Sequence, residues 1–242
     1  MSTSGRSPLA VTKQAYAGSM RSLGRGLART GLARDEPPPV GRRARHWAHS
    51  LTRVYDSVAM ARLDVPWWTY DATGFVDGWL AGRERPVRVF EYGSGASTVW
   101  LSRRAGEVHS VEHHRGFGET MRTELDRLGN VDLRIIEPVP SDRPVVGSRK
   151  EGHAGLDFAG YVAAIDDVPG DFDLIVIDGR AREACLAAAG TRLAGGGIVV
   201  FDNSRRHRYR VAIEASGLRE RVFRGLTPTL PYPEQTSVLT RG

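Results

Sequence analysis

The chain has 242 residues, 40% of them apolar, which is enough to bury a sizeable core in one large domain or in one domain with an appendage. The formal net charge of +6 is concentrated in residues 1–50, which hold nine basic and two acidic residues, so the near-neutral remainder disfavours nucleic acid as a partner. The single cysteine, Cys185, excludes a disulfide framework and a cysteine-based zinc site, and no apolar run is long enough to span a membrane.

The first 85 residues divide into two segments by composition. Residues 1–40 are rich in Ser, Gly, Arg and Ala and end in three prolines, which predicts a disordered basic arm with a short helix near Leu23–Leu32. Residues 41–85 predict a helical cap, in which Trp47, Leu51, Val54 and Val58 follow helical spacing and Thr73–Leu80 forms a further helix. We expect the intervening segment Pro66–Tyr70 to hold these helices against the core by hydrophobic packing, with one of its two tryptophans facing a cleft.

Residues 86–242 alternate between strand-like and helix-like runs. Seven strands are predicted, at Val87–Tyr92, Val108–Glu112, Val131–Ile136, Asp173–Asp178, Ile198–Phe201, Glu220–Arg224 and Gln235–Leu239. Helices are predicted at Ser97–Arg104, Phe117–Leu128, Tyr161–Val168, Arg182–Leu193 and His207–Ser216, while residues 138–159 read as a long loop. The alternation predicts an α/β fold: a Rossmann-like, doubly wound, mostly parallel seven-stranded sheet whose last two strands form a hairpin.

A glycine turn follows the first strand. The strand ends at Glu91, the turn is Gly93-Ser94-Gly95, and the second strand ends in another acid, Glu112, 21 residues after the first. This order of strand, turn, helix, strand and acid is how doubly wound sheets hold an adenosine-type cofactor. Thr98 stands where the dinucleotide fingerprint has its third glycine, which weakens a nicotinamide or flavin interpretation, and a purely structural turn is the other alternative.

The pattern E-x-G-x-G resembles motif I of class I S-adenosylmethionine-dependent methyltransferases. The resemblance implies that the turn contacts the methionine part of S-adenosylmethionine, that Glu112 binds the ribose and that Glu137 approaches the adenine. The residues assigned to the cofactor on this basis are Glu91, Gly93, Ser94, Gly95, Ser97, Glu112, Glu137 and Asp178.

Acidic and amide side chains follow the fourth and fifth strands. Asp178 ends one strand and Asp202-Asn203 ends the next, so their oxygens are expected to face one crevice. An all-oxygen set suits Mg²⁺, and the pattern resembles the catechol and caffeoyl-coenzyme A O-methyltransferases, which implies a metal at Asp178, Asp202 and Asn203 that orients the acceptor. Helix capping, or a substrate-binding role for Asp178 without metal, is the alternative.

The general base is not evident from this resemblance. Residues 178–182 read DGRAR, without the lysine of that group, and arginine stays protonated at neutral pH. The catalytic candidates are therefore Asp178, His153 in the long loop and His207 after the fifth strand. The basic run 205–210 would attract an anionic substrate, or it is a solvated start of a helix.

Together these patterns predict a methyltransferase that uses S-adenosylmethionine to methylate an oxygen of a small molecule, with Mg²⁺ as a candidate second cofactor. One alternative is a metal-independent enzyme acting on nitrogen, on protein or on RNA. The other is a non-catalytic protein that keeps the fold as an interaction module. We expect a cytoplasmic protein with a small-molecule acceptor and no membrane partner, and a homodimer is compatible with the sequence.

Overall fold

The computed structural model describes residues 36–53 and 56–242, without the side chain of Arg53. Most of the expected basic arm, including the helix expected near Leu23–Leu32, lies outside the described residues, as does Val54. The strands are β1 Arg88–Tyr92, β2 Glu107–Glu112, β3 Val131–Ile135, β4 Val139–Pro140, β5 Leu156–Asp157, β6 Phe172–Ile177, β7 Leu193–Asp202, β8 Arg219–Gly225 and β9 Glu234–Thr240.

The helices lie between these strands and before them. They are α1 Arg43–Arg53, α2 Ser57–Ala61, α3 Tyr70–Ala81, α4 Ala96–Ser102, α5 Arg115–Leu125, α6 Ala159–Ala163, α7 Arg182–Arg192 and α8 His207–Ala215, with a 3₁₀ turn at Ala164–Asp167. In this part of the chain no helix has the length and apolar character needed to cross a membrane.

Seven strands form one sheet in the order β3-β2-β1-β6-β7-β9-β8. The first five of these strands run parallel, and β9 pairs antiparallel with both β7 and β8. All six side chains of β6 are buried, as expected for a central parallel strand covered on both faces. The predicted Rossmann-like, doubly wound sheet with an antiparallel hairpin at one edge is therefore confirmed.

Helices cover both faces of the sheet. On one face, α6, α7 and α8 bury residues such as Tyr161, Leu186 and Ile213 against β1, β6 and β7. On the other face, Trp68 and the helices α3 and α4 pack on the sheet, and Trp68 meets Trp100 edge to face with their ring centroids 5.8 Å apart. Cys185 is fully buried within α7.

The N-terminal helices are joined to the core through the Pro66–Tyr70 segment. Trp68 is fully buried, whereas its neighbour Trp67 is half-buried and donates its indole N–H to Thr229 Oγ1 at 2.8 Å. Thr69 caps α3 by accepting from the amide of Ala72 at 3.3 Å. The two tryptophans therefore point in different directions, and only Trp67 faces the cavity described below.

Two segments differ from the sequence prediction. The glycines 195–197 belong to β7, because this strand begins at Leu193 and pairs with Phe172 before a shift of register. The predicted loop over 138–159 contains the short antiparallel pair of β4 and β5. Asp157, in β5, accepts from the amides of Val145 and Val146 at 2.8 and 3.1 Å, and so fixes a loop that shows no hydrophobic periodicity.

Candidate active site

A cavity of about 500 Å³ opens at the carboxyl ends of β1, β2 and β6. It lies where the strand order reverses, because the chain runs outward from β1 to β2 and β3 and then returns to β6 on the other side of β1. Ligands of open α/β sheets bind at this kind of switch point. The predicted cofactor residues that line the cavity are Gly93, Ser94, Gly95, Ser97, Glu112 and Asp178.

The glycine turn forms one wall of the cavity. Gly93 has a φ of +101°, which favours glycine, and a β-carbon at this position would lie 2.7 Å from Gly179 Cα. Gly179 is equally confined, since a β-carbon there would lie 2.0 Å from the hydroxyl oxygen of Tyr161. The turns after β1 and β6 therefore pack directly on each other, and the backbone of both borders the cavity.

Glu91 lies beneath the turn and does not line the cavity. Its fully buried carboxylate accepts hydrogen bonds from the hydroxyls of Ser97 and Thr98, both at 2.5 Å, and from Ser110 at 2.9 Å. Burial raises the pKa of Glu91 to about 7, although these hydroxyls act in the opposite direction. Glu91 therefore supports the turn from behind, and its expected direct contact with a cofactor does not follow from this position.

Glu112 borders the cavity as a carboxylate at the end of β2. It accepts from the amide of His114 at 2.8 Å and from the hydroxyl of Ser94 at 3.2 Å, and His113 Nδ1 lies 2.8 Å from its Oε1. Burial alone would raise the pKa of Glu112, but His113 and these donors hold it below its ordinary value. The side chain therefore stays ionised and keeps a fixed orientation at the cavity wall.

Arg182 holds Asp178 and Asp202 together. Its guanidinium lies 2.7 Å from Asp178 Oδ1 and 3.9 Å from Asp202 Oδ2, and it also donates to the backbone carbonyls of both residues. Asp202 further accepts from Thr236 Oγ1 at 2.8 Å. Burial and the charge of Asp178 raise the pKa of Asp202 to about 8, while burial also raises the pKa of Asp178 against the effect of Arg182.

This arrangement does not fit the expected Mg²⁺ ion. The side chain of Arg182 is buried, donates a hydrogen bond to the carboxyl group of Asp178 and already places a positive charge beside that of Asp202. A divalent cation between them would face this guanidinium at close range. Asn203, the third expected ligand, sits in a left-handed turn with a φ of +52°. Within the described ranges, no group of three or more His, Cys, Asp or Glu side chains could hold a metal ion.

The remaining candidates lie at different distances from the cavity. Glu137 is half-exposed and pairs with Arg115 at 2.7 Å, and His207 is exposed at the start of α8; neither lines the cavity. His153 is closer, because its ring centroid lies 5.9 Å from that of His113, which does line the cavity. Its ring also stacks on Phe158 at 5.9 Å.

The protonation of His153 follows from its surroundings. Burial, together with the nearby charges of Arg180, His113 and Lys150, lowers its pKa, although the carbonyl of Glu151 acts in the opposite direction. Nδ1 lies 3.1 Å from that carbonyl and therefore carries the proton, which leaves the lone pair on Nε2. Of the two histidines predicted to be catalytic, only His153 combines a neutral ring with a position next to a cavity residue.

Several cavity residues were not singled out as site residues by the sequence. They are Trp67, Ala96, His113, His114, Phe117, Gly179 and Arg180. His113 and His114 directly follow Glu112, and Gly179 and Arg180 directly follow Asp178. These four residues could have been predicted from their positions in the sequence, because the first residues after a parallel strand border the same crevice as the acid that ends it.

No family model matches the chain, and no curated protein matches it. Solved structures with a similar arrangement include the precorrin-6y C5,15-methyltransferase of Geobacter metallireducens GS-15, at 16% identity and a TM-score of 0.49, covering 71% of this chain and 88% of that one. They also include a SAM-dependent O-methyltransferase of Thermotoga maritima, at 16% identity and a TM-score of 0.45, covering 71% of this chain and 65% of that one.

A third similar structure is the ribosomal protein L11 methylase of Lactobacillus delbrueckii subsp. bulgaricus, at 13% identity and a TM-score of 0.45, covering 77% of this chain and 79% of that one. With identities under 25% and TM-scores below 0.5, these likenesses assign no activity, ligand or acceptor to this chain. The metal-dependent catechol and caffeoyl-coenzyme A subgroup receives no support from them.

Proposed function

We propose that this protein is an S-adenosylmethionine-dependent methyltransferase that methylates an oxygen of a small molecule without a metal ion. The observation that carries the proposal is the ionised carboxylate of Glu112 at the wall of a cavity that the Gly93–Gly95 turn also borders. A fixed carboxylate at this place can accept hydrogen bonds from both hydroxyls of a ribose. The volume of about 500 Å³ is in the range of small-molecule and cofactor sites.

Thr98 favours this cofactor over a dinucleotide. Its hydroxyl accepts from the amide of Gly95 at 2.9 Å and donates to Glu91 at 2.5 Å, so it fills the space between turn and helix. A pyrophosphate needs glycine at this position because helix and strand must then approach closely. S-adenosylmethionine carries no phosphate and supplies instead an activated methyl group on a sulfonium.

The chain's own residues would orient the acceptor and receive its proton. In the transfer, the acceptor oxygen bonds to the methyl carbon as the carbon–sulfur bond breaks, so alignment and loss of the oxygen's proton are what the protein provides. His153, with the lone pair on Nε2, is our candidate for the group that takes the proton. Arg182 donates a hydrogen bond to Asp178 and places its positive charge beside Asp202, which supports a site that works without Mg²⁺.

The proposal is tested by calorimetric titration with S-adenosylhomocysteine, the demethylated product. We expect saturable one-site binding in the wild type, unchanged by EDTA, because Arg182 supplies the positive charge at Asp178. In Glu112→Gln the affinity should fall by about tenfold to a hundredfold, since a charge-assisted pair of hydrogen bonds becomes neutral and one acceptor oxygen becomes a donor.

Glu137→Gln is the matched control. It removes the same charge from the end of the neighbouring strand, but Glu137 does not border the cavity, so its affinity should stay within about twofold of the wild type. Absence of binding by folded protein would refute the proposed cofactor. An equal loss of affinity in both variants would show that Glu112 acts only through overall charge.

A further inference from the structure

A second, smaller recess adjoins the cavity and shares Arg180 with it. Its volume is about 20 Å³, which is room for about one water-sized atom, such as one oxygen of an oxyanion. The long loop contributes Arg149 and Lys150, and the start of α8 contributes Arg206, Arg208 and Tyr209. A group bound in this recess would therefore contact three separate segments of the chain, and one of its contacts, Arg180, also lines the cavity.

The recess is strongly cationic. Guanidinium groups gather around the ring of Tyr209, with Arg208, Arg182 and Arg206 at 4.7, 5.7 and 5.9 Å from its centroid. The charge of Arg182 faces the carboxyl groups of Asp178 and Asp202. Among the residues that line the recess, the carboxylate is that of Glu183, which lies 3.7 Å from Arg208. Gathering like charges is unfavourable unless an anion accompanies them.

Arg180 is the group at the junction with unused donors. In the part of the chain that the structure describes, its Nε is buried without a hydrogen-bond partner, and its Nη1 donates only to the carbonyl of Gly179 at 3.3 Å. Among the described residues no carboxylate lies within ion-pair distance of this guanidinium. Burial and the charge of Arg182 lower the pKa of Arg180, which is the effect expected of a cation in cationic surroundings. A guanidinium binds oxyanions through paired, parallel N–H donors.

We propose that the acceptor carries an oxyanion group, a carboxylate or a phosphate, which binds in this recess to Arg180, Arg206 and Arg208 while the rest of the acceptor extends into the cavity. This inference rests on the proposed methyl transfer and specifies its substrate class. The ring of His153 lies 5.9 Å from that of His113, which lines the cavity, and the charge of Arg180, which borders both spaces, acts on it. The anion would thereby position a hydroxyl within reach of the proposed base.

The experiment titrates inorganic phosphate into the full-length protein saturated with S-adenosylhomocysteine, at constant ionic strength, and follows heat and backbone amide shifts. We expect saturable binding that falls by about tenfold in Arg180→Gln and in Arg206→Gln, because each removes a charge-assisted pair. Arg205→Gln is the matched control, because Arg205 has the same charge in the same run but borders a different recess with Pro233 and Glu234. A parallel titration with acetate distinguishes a carboxylate site from a phosphate site.

Three results would overturn the inference. If phosphate does not bind saturably, or if Arg205→Gln weakens its binding as much as Arg180→Gln and Arg206→Gln do, then phosphate is only attracted diffusely to a basic surface. If phosphate competes with S-adenosylhomocysteine and Arg180→Gln no longer binds S-adenosylhomocysteine, Arg180 binds the carboxylate of the cofactor itself. The proposed function would then stand and the acceptor assignment would not. Folded protein that binds phosphate but no S-adenosylhomocysteine would refute the proposed function and the acceptor assignment with it. Thermal unfolding of each variant shows whether it is folded.

Discussion

Replacing Glu91 by glutamine should make the folded protein more resistant to unfolding at alkaline pH. The pKa of Glu91 is about 7 in the folded chain and has its ordinary value of 4.5 when the chain is unfolded. Folding therefore favours the protonated carboxyl, whose contribution to stability is complete below pH 4.5 and is lost as the pH rises through 7. The difference between the two pKa values corresponds to a loss of about 3 kcal/mol, most of which falls between pH 5 and pH 8.

Glutamine can satisfy the three hydroxyls around this position. Its carbonyl oxygen can take the place of Oε2, which accepts from Thr98 and Ser110, and its amide nitrogen can take the place of Oε1 and donate to Ser97, whose hydroxyl rotates to accept. The exchange keeps the size of the side chain and removes its ionisation. We therefore expect a variant of similar stability at pH 5 that loses the wild type's decline toward pH 8.

The assay is urea unfolding of wild type and Glu91→Gln at half-unit steps from about pH 5 to pH 8, with the free energies compared at each pH. Other titrating groups, including Asp202, are common to both proteins and cancel in the difference. This difference should grow by about 2 to 3 kcal/mol across the range in favour of the variant. Two parallel curves would refute the reasoning, since they would mean that the buried carboxyl does not change its protonation on folding.

The remaining predictions concern the turn and the arginine bridge. Gly93→Ala forces an alanine to a φ of +101° against Gly179, so it should lower the free energy of unfolding by about 1–3 kcal/mol and weaken S-adenosylhomocysteine binding in calorimetry. Gly190→Ala, inside α7 with open space around it, should instead stabilise the protein slightly, and equal losses in both would contradict the role of the turn. Arg182→Ala leaves Asp178 and Asp202 without their cation and should destabilise the fold by about 3–5 kcal/mol in urea unfolding; a change under about 1 kcal/mol would show that the pair does not need it.

The sheet was predictable because its strands are short apolar runs with clear ends. The predicted strand 173–178 corresponds to β6, Phe172–Ile177, which is buried throughout, and Glu112, the acid that ends β2, borders the cavity. Positions at the ends of parallel strands follow from topology, and topology follows from the alternation of strands and helices. Gly93, Gly95 and Asp178 also follow strands β1 and β6 and line the cavity.

What the sequence could not supply was the direction of side chains across the site. Asp178 and Asp202 do approach each other, but Arg182 lies against both because Ala181 turns the chain through a left-handed conformation before α7. Nothing in the spacing distinguishes this arginine bridge from a metal site. Glu91 matches the cofactor pattern equally well, and only the three hydroxyls that converge on it show that it faces inward.

The insertion of β9 between β7 and β8 has a consequence for synthesis on the ribosome. Thr236 in β9 donates to Asp202 and accepts from the amide of Thr69, a partner 167 positions earlier in the chain. The glycine turn follows β1 and Glu112 ends β2, so a nascent chain can assemble this wall of the cavity before Thr236 reaches Asp202. β9, which emerges after these strands, therefore closes the acidic side of the site and links it to the N-terminal helices at the same moment.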